Sequence, residues 1–420
     1  MSESREVEIV RLGSEGDGVA ETPAGPVYVP FALPGERWRL ADGAPSERLS
    51  DSPERQSPVC RHFGTCGGCV AQHLSAGLYA KWKEGIIREA FRHRGIDADV
   101  CPMKRVAPCS RRRAFLGVER RGKEVKIGFR EEGAHTLVDM EECPVLDSSI
   151  VAALPRLKEM TRIAMRGDES GRLIVTKLDH GLDVSFDNGV KTLLSDERTK
   201  LAALADAAGL ARLSVAGDMI VQRGSATLTL GGVAVEPPAS IFLQAVPEAE
   251  RLLIDLVVAA LPKKAKRAAD LFSGAGTFTF PLARQVKVTA YDSDRRAINA
   301  LDMGARRTEG LKPIEAIVRD LFREPLSAKE LEAFDCVVFD PPRAGAAGQA
   351  ERLAKSKVPV VIAVSCSAAT LARDARTLID GGYTMGPVVP IDQFLFSPHI
   401  EAVVVFRKSA AGNRRPATGL

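Results

Sequence analysis

The stretch VPVVIAVSCSAATLARDART, Val358 to Thr377, begins as a continuous β-branched run. It ends in Ser365-Cys366-Ser367, ahead of an Ala/Leu/Arg segment with helical spacing. A β-branched run without polar alternation suits a strand buried on both faces of a parallel sheet. Open α/β folds bind their ligands at the carboxyl edge of such strands. The thiol of Cys366 is then either a small residue that fits, or a nucleophile held at the ligand edge. The neighbouring segments decide which.

From about Pro237 to Lys408 strand-like and helix-like runs alternate. The predicted strands are RAADLF (267–272), KVTAYD (287–292), EAIVRD (315–320), FDCVVFD (334–340), PVVIAVS (359–365) and EAVVVFR (401–407). Such alternation predicts an α/β, doubly wound sheet. The first strand runs into ADLFSGAGTFTFPLA (269–283), where Gly274 and Gly276 permit a tight turn and close approach of a ligand to the backbone. The third glycine of a dinucleotide fingerprint is missing, so this turn alone names no nucleotide. Asp292 follows Asp270 by 22 residues and ends the second strand. That spacing suits a carboxylate accepting from both ribose hydroxyls, and it points to an adenosine ligand. Asp320 ends the third strand, where an adenine ring would lie. Each acid alone is equally an ordinary strand-end carboxylate. Asp340-Pro341-Pro342-Arg343 follows the fourth strand, and a proline pair stiffens the chain where a flat base would be clamped.

Upstream, short alternating runs from Val7 to Leu49 separated by Gly- and Pro-containing turns predict a small, tightly curled OB-like β-barrel. DGAPSERLSDSPERQSP (42–58) reads as a polar linker. In LYAKWKEGIIREAFRHRG, Leu78, Trp82 and Ile86 recur every four residues and Gly95 follows, which predicts an amphipathic helix with Trp82 as a packing residue. Later runs such as RLIVTKL and LDVSF alternate like strands of an antiparallel sheet.

At 420 residues, with 45% hydrophobic and 27% charged residues, the chain reads as a soluble protein of two or three domains. MSESREVEIV has neither a basic nor an apolar signal region, and no apolar run approaches membrane-spanning length. A cytoplasmic location follows as an expectation. The net charge of +4 is mild, but residues 101–130 carry ten lysines and arginines against Glu119 and Glu124. That stretch is either a solvated face or a phosphate-binding surface. Eight cysteines in such a chain argue for metal or catalytic thiols rather than a disulfide framework. Cys60, Cys66 and Cys69 cluster around Gly67-Gly68, and Cys143 is the natural fourth ligand. Four thiolates suit zinc or an iron–sulfur cluster, and spacing does not separate the two. Cys101, Cys109 and Cys336 are read as packing thiols.

With these pieces assembled, the chain resembles the RNA uracil-5-methyltransferases that use S-adenosylmethionine, nearest the iron–sulfur branch acting on 23S ribosomal RNA. The likeness spans nearly the whole chain through HFGTCGGCVAQH, GFREEGAHTLVDMEECPVLD, PASIFLQAVPEAERLL, DLFSGAGTFTFPLA, FDPPRAG, VSCSAATLARD and DQFLFSPHIEAVVVF. It implies a TRAM/OB-like RNA-binding barrel at 1–54, a central α+β iron–sulfur domain at 55–236, a Rossmann-like methyltransferase domain at 237–408 and a disordered tail at 409–420. It implies that Cys366 is the nucleophile and Glu401 the base. It implies that Gln244, Phe272, Thr277, Asp292, Asp320 and Asp340 bind the methyl donor, with the target uracil near Asp340. It favours a structural [4Fe–4S] cluster on Cys60, Cys66, Cys69 and Cys143. The expected partner is RNA, with no membrane, and the chain is expected to be a monomer. Departures from the family pattern are Asp292 in place of Glu, Ser367-Ala368 in place of Asn-Pro, and CSRRRAF without the expected aromatic. The rival readings are a tRNA enzyme and a non-catalytic ribosomal-RNA folding factor.

Overall fold

The computed structural model describes residues 5–40, 46–187, 192–239 and 241–408. The expected disordered tail and the start of the linker lie outside these residues. Near the N-terminus two antiparallel three-stranded sheets face each other. One holds Arg5–Glu8, Arg37–Leu40 and Glu47–Arg48, the other Arg11–Leu12, Gly18–Thr22 and Gly25–Val29. Val7, Ile9, Ala20, Val29, Ala32 and Trp38 form their shared core. The predicted polar linker is tied down: Arg55 donates to the fully buried Glu36 from Nε at 2.5 Å and from Nη2 at 2.9 Å.

A second unit is a six-stranded sheet whose inner face packs on helices Ser148–Ala164 and Ser195–Ala207. The sheet was expected to be antiparallel, but Gly181–Phe186 and Leu210–Val215 pair in parallel. The physical reason is the Ser195–Ala207 helix between them, because a parallel pair needs a long crossover. The basic stretch 101–130 is neither simply solvated nor simply a phosphate surface. Arg112 and Arg113 are buried, donating to the carbonyls of Gln244 and Ile241 respectively, and Arg112 pairs with Glu250 at 2.5 Å. These arginines join the central sheet to the C-terminal unit.

The C-terminal sheet has eight strands: β1 (Lys104–Arg105), β2 (Arg267–Leu271), β3 (Lys287–Asp292), β4 (Ile314–Val318), β5 (Cys336–Phe339), β6 (Val360–Ser365), β7 (Tyr383–Asp392) and β8 (Glu401–Lys408), in the order β4-β3-β2-β5-β6-β8-β7-β1. The five strands β2 to β6 run parallel, and β8 is antiparallel to both β6 and β7. All six predicted strands are present. Strand β7 escaped prediction because Pro387 and Pro390 lie in it, and proline demotes a run from central strand. Its pairing with β8 shifts register between Met385 and Val388, and only a two-residue strand flanks its far side.

Helix Ala76–Arg92 is present, capped by Ser75, but its buried stripe is Tyr79, Trp82, Lys83, Ile87 and Phe91. Leu78 and Ile86 are only half-buried. Ile87 and Phe91 join the core of the C-terminal sheet, so the helix packs there rather than on the central sheet. Trp82 packs and also donates from Nε1 to the Gly13 carbonyl at 2.8 Å, tying the N-terminal unit to this helix. Among the described residues no helix is long and apolar enough to cross a membrane.

Candidate active site

Strand β2 delivers the chain into a turn in which Phe272 takes a φ of 61° and Gly276 a φ of 106°. A Cβ on Gly276 would meet the Phe280 ring at 2.6 Å, so only glycine permits this close turn. At the end of β3, Asp292 accepts from the amides of Gly274 at 2.9 Å and Asp294 at 2.8 Å. This carboxylate therefore braces the glycine turn, and each of its oxygens keeps a lone pair for a ligand hydroxyl. Asp320 lies two residues beyond β4 and caps its own turn, accepting from the amides of Phe322 at 3.0 Å and Arg323 at 3.3 Å. The rings of Phe272 and the exposed Phe322 sit 5.4 Å apart, and Thr277 lies in the turn itself.

Strands β6 and β8 set the reacting end. Ser365 pairs with Ala402, and the next step of that register brings Cys366 opposite Glu401. Glu401 is buried, and Gln393 Nε2 reaches its Oε2 at 2.6 Å. Its other oxygen, Oε1, has no partner among the described residues. The same Gln393 Nε2 donates to Gln244 Oε1 at 2.8 Å, and Gln244 Nε2 donates to Asp340 Oδ2 at 2.8 Å. Asp340, Gln244, Gln393, Glu401 and Cys366 thus form one connected site.

The electrostatics are lopsided. Burial pushes Glu401 well above the usual carboxylate range, and the neighbouring Asp340 charge adds to this. Burial likewise raises Asp340 to about 7. At the root of the glycine turn, burial followed by the charges of Asp340 and Asp292 raises Asp270 to about 7, against the hydrogen bond from Thr279. Asp270 Oδ1 has no partner among the described residues. Burial, then Glu401 and Asp340, push the Cys366 thiol up to about 12, with Arg343 opposing. Buried acids without a counter-charge, two of them with orphaned oxygens, are the complement of a cationic ligand.

The strap from Asp392 to Ile400 is held from below. Fully buried Lys83 reaches Asp392 Oδ1 at 2.8 Å and also donates to the carbonyls of Phe394 and His399. Tyr79 donates to Asp392 Oδ2 at 2.6 Å and accepts from the Phe396 amide at 2.9 Å. Lys83 and Gln393 carried no signal at the sequence level: a helical lysine reads as solvated, and a glutamine between Asp392 and Phe394 reads as loop.

A cavity of about 1060 Å³ runs from Arg11 and Tyr28 of the N-terminal unit, along Trp82 and Ile86, to Cys366 and Ser367. A second cavity, of about 480 Å³, is lined by Cys60, Cys66, Cys69 and Cys143 and shares Arg343 and His399 with the first. Burial raises the thiols of Cys66 and Cys143, and that of Cys69 to about 12; the thiols are near enough for their charges to raise one another further. Gly67 donates to the Arg130 carbonyl at 2.9 Å, and a Cβ there would crowd that oxygen at 3.1 Å. Among the described residues, no group of three or more His, Cys, Asp or Glu side chains is set to hold a metal ion. Of the thiols read as packing, Cys336 is buried and Cys101 half-buried, but Cys109 is exposed at a φ of 54°. A separate cavity of about 770 Å³ beside helix Pro247–Ala260 contains none of the predicted site residues.

Comparison with known proteins places this geometry. The sequence profile of the tRNA (Uracil-5-)-methyltransferase family matches residues 233–409. An uncharacterized RNA methyltransferase of Rhizobium meliloti is 43% identical over 96% of this chain and 99% of its own length. A 23S rRNA (uracil(1939)-C(5))-methyltransferase of Alkalilimnicola ehrlichii is 31% identical over 96% of this chain and 97% of its own. The crystal structure of Pyrococcus abyssi tRNA (uracil-54, C5)-methyltransferase, in complex with S-adenosyl-L-homocysteine, superposes with a TM-score of 0.75 at 25% identity, covering 96% of this chain and 99% of that one.

Proposed function

The chain belongs to the RNA uracil-5-methyltransferase family, and from that premise we propose that it transfers a methyl group from S-adenosylmethionine to carbon 5 of a uridine in 23S ribosomal RNA. One observation carries the reading: Cys366 directly follows β6, Glu401 opens the adjacent antiparallel strand β8, and Cys366 lines a cavity that reaches the N-terminal unit.

Carbon 5 of uracil is too weak a nucleophile to attack a sulfonium methyl directly. Cys366 gives up its proton to solvent and adds as the thiolate to carbon 6, and the ring electrons move onto the carbon 4 carbonyl as an enolate. Carbon 5 then takes the methyl group, and the donor leaves as the thioether. Glu401 removes the carbon 5 proton; those electrons restore the carbon 5–carbon 6 double bond and expel the Cys366 thiolate. In the ligand-free protein the Cys366 thiol is neutral, held so by burial and by Glu401 and Asp340. The positive sulfonium of the donor offsets those acids and favours the thiolate. Gln244, Phe272, Thr277, Asp292, Asp320 and Asp340 are proposed to hold the donor, with the uracil beside Asp340.

A base stacked within RNA cannot reach Cys366, so the target nucleotide must be turned out, at a cost of a few kcal/mol. The N-terminal unit is proposed as a TRAM-type RNA-binding barrel that offsets this cost through backbone contacts along the groove. Cys60, Cys66, Cys69 and Cys143 are proposed to hold a [4Fe–4S] cluster. What supports this reading is that the four thiols line one cavity and that the sequence resembles the iron–sulfur branch of the family. Such a cluster would fix the loop that carries the thiols, and methyl transfer needs no electron from it. Iron and sulfide analysis of anaerobically prepared protein tests this assignment.

A tRNA substrate is the second reading, favoured by the likeness to the Pyrococcus abyssi enzyme. Mapping 5-methyluridine in ribosomal RNA and tRNA from a deletion strain decides between them. The mechanism is tested with RNA containing 5-fluorouridine, which has no carbon 5 proton to lose. The protein plus methyl donor should form a stable adduct on the Cys366 peptide, and Cys366→Ala should form none. An adduct-free wild-type protein would sink the covalent reading.

A further inference from the structure

We infer that Gln393 is a positioning residue for the base, coupling Glu401 to the donor-binding glutamine Gln244; this rests on the assignment of Glu401 above. Gln393 is buried, and both ends of its amide are fixed. Its Oε1 accepts from the Ala245 amide at 3.1 Å, which leaves Nε2 facing the two acceptors, Gln244 Oε1 at 2.8 Å and Glu401 Oε2 at 2.6 Å. Since Nε2 has two hydrogens, both contacts are made at once. The orientation propagates: with Oε1 of Gln244 engaged, its Nε2 must point at Asp340. The residue preceding Gln393 is Asp392, clamped by Lys83 and Tyr79, so the glutamine is anchored on rigid backbone.

The consequence concerns the form of Glu401 that accepts the carbon 5 proton. Burial disfavours a charge on it, and so does Asp340 from the end of β5. The other titratable groups nearby are Arg343, the His399 imidazole, which burial lowers to about 4 and so keeps uncharged near neutral pH, and the Lys83–Asp392 pair, which is self-compensated. The Gln393 donation is the side-chain hydrogen bond that favours ionised Glu401. It also restrains rotation of the carboxyl group, whose Oε1 has no partner among the described residues.

Gln393→Met keeps the volume and removes the donor. Turnover on cognate RNA should fall roughly tenfold to a hundredfold, a share of what a general base supplies. Methylated covalent enzyme–RNA complex should accumulate on denaturing gels, because addition and methyl transfer precede the step that needs Glu401. The acid limb of the pH–rate profile should move to higher pH, since the variant's Glu401 holds its proton more tightly. A variant with the wild-type profile overturns the inference. So does one whose turnover falls with no complex trapped and an unmoved acid limb, which would make Gln393 merely structural. Glu401→Gln, run in parallel, isolates the premise: if it turns over without trapping complex, the base assignment itself has failed.

Discussion

Two buried glutamates serve this protein in opposite ways. Glu36, in the N-terminal unit, is fully buried and accepts from the Leu33 amide at 2.9 Å, Trp38 Nε1 at 2.9 Å and Arg55 Nε at 2.5 Å. Burial alone would raise it, yet Arg55 and these donors hold it below the usual carboxylate range. Glu401 is as deeply buried, but a single glutamine serves it, one oxygen is orphaned, and its pKa is raised. The lesson is that burial does not mark function; uncompensated burial does. A structural carboxylate is satisfied by its own fold, whereas this site leaves charge to be completed by substrate and donor.

The sharpest way to break the contrast is to neutralise each acid in turn. Glu401→Gln should lower turnover roughly 10²- to 10⁴-fold and leave thermal stability unchanged or slightly raised. Glu36→Gln should do the reverse, destabilising the fold by about 3 kcal/mol because Arg55 loses its counter-charge, with kcat per folded molecule preserved. Paired melting curves and single-turnover assays check both. If Glu36→Gln lost activity at full stability, the division between the two acids would be wrong.

A smaller effect comes from pH. A carboxyl whose folded pKa is raised binds its proton more tightly when folded, so its stabilising contribution is present at low pH. That contribution is lost as pH rises from the ordinary 3.8 through about 7 for Asp340. Ligand-free protein should therefore lose stability over that window, and Asp340→Asn should flatten the loss, raising the melting temperature at pH 8 by roughly 2–4 °C. S-adenosylmethionine, as a cation beside the acids, should restore wild-type stability at high pH more than at low pH. Equal stabilisation at both would remove the electrostatic account.

What could be read beforehand follows the same physics. The inner strands β5 and β6 announced themselves because strands buried on both faces are written in continuous apolar residues, whereas the half-exposed edge strand β4 was legible from the strand–helix alternation. Cys366 was singled out by its place at a strand end and by family resemblance, Glu401 by the resemblance alone; the β6–β8 register runs to Ser365 opposite Ala402, one step short of both. Strand β7 stayed hidden behind Pro387 and Pro390. Lys83 and Gln393 stayed hidden because their roles depend on partners about 309 and 149 residues away in sequence, which no local pattern encodes. The basic stretch misled for a related reason: charge alone does not show that Arg112 and Arg113 turn inward to meet carbonyls and Glu250.

The smallest test addresses how the satisfied region serves the unsatisfied one. Trp82 stands between them, packing under the groove while its Nε1 donates to Gly13 of the barrel. Trp82→Phe keeps an aromatic core residue and removes that donor, leaving the Gly13 carbonyl with only the Gly16 amide at 3.2 Å, at a cost of about 1 kcal/mol. The barrel retains its own core, so it should stay folded. What loosens is its attachment to the helix that lines the groove. Affinity for RNA should therefore weaken by roughly threefold to tenfold, while the rate of methyl transfer from saturated complex stays near wild type. Fluorescence anisotropy against salt, set beside single-turnover rates, reads the two separately. A change in the rate rather than in affinity would mean that the barrel's position reaches Cys366 directly, and that the two regions are not as independent as their buried glutamates imply.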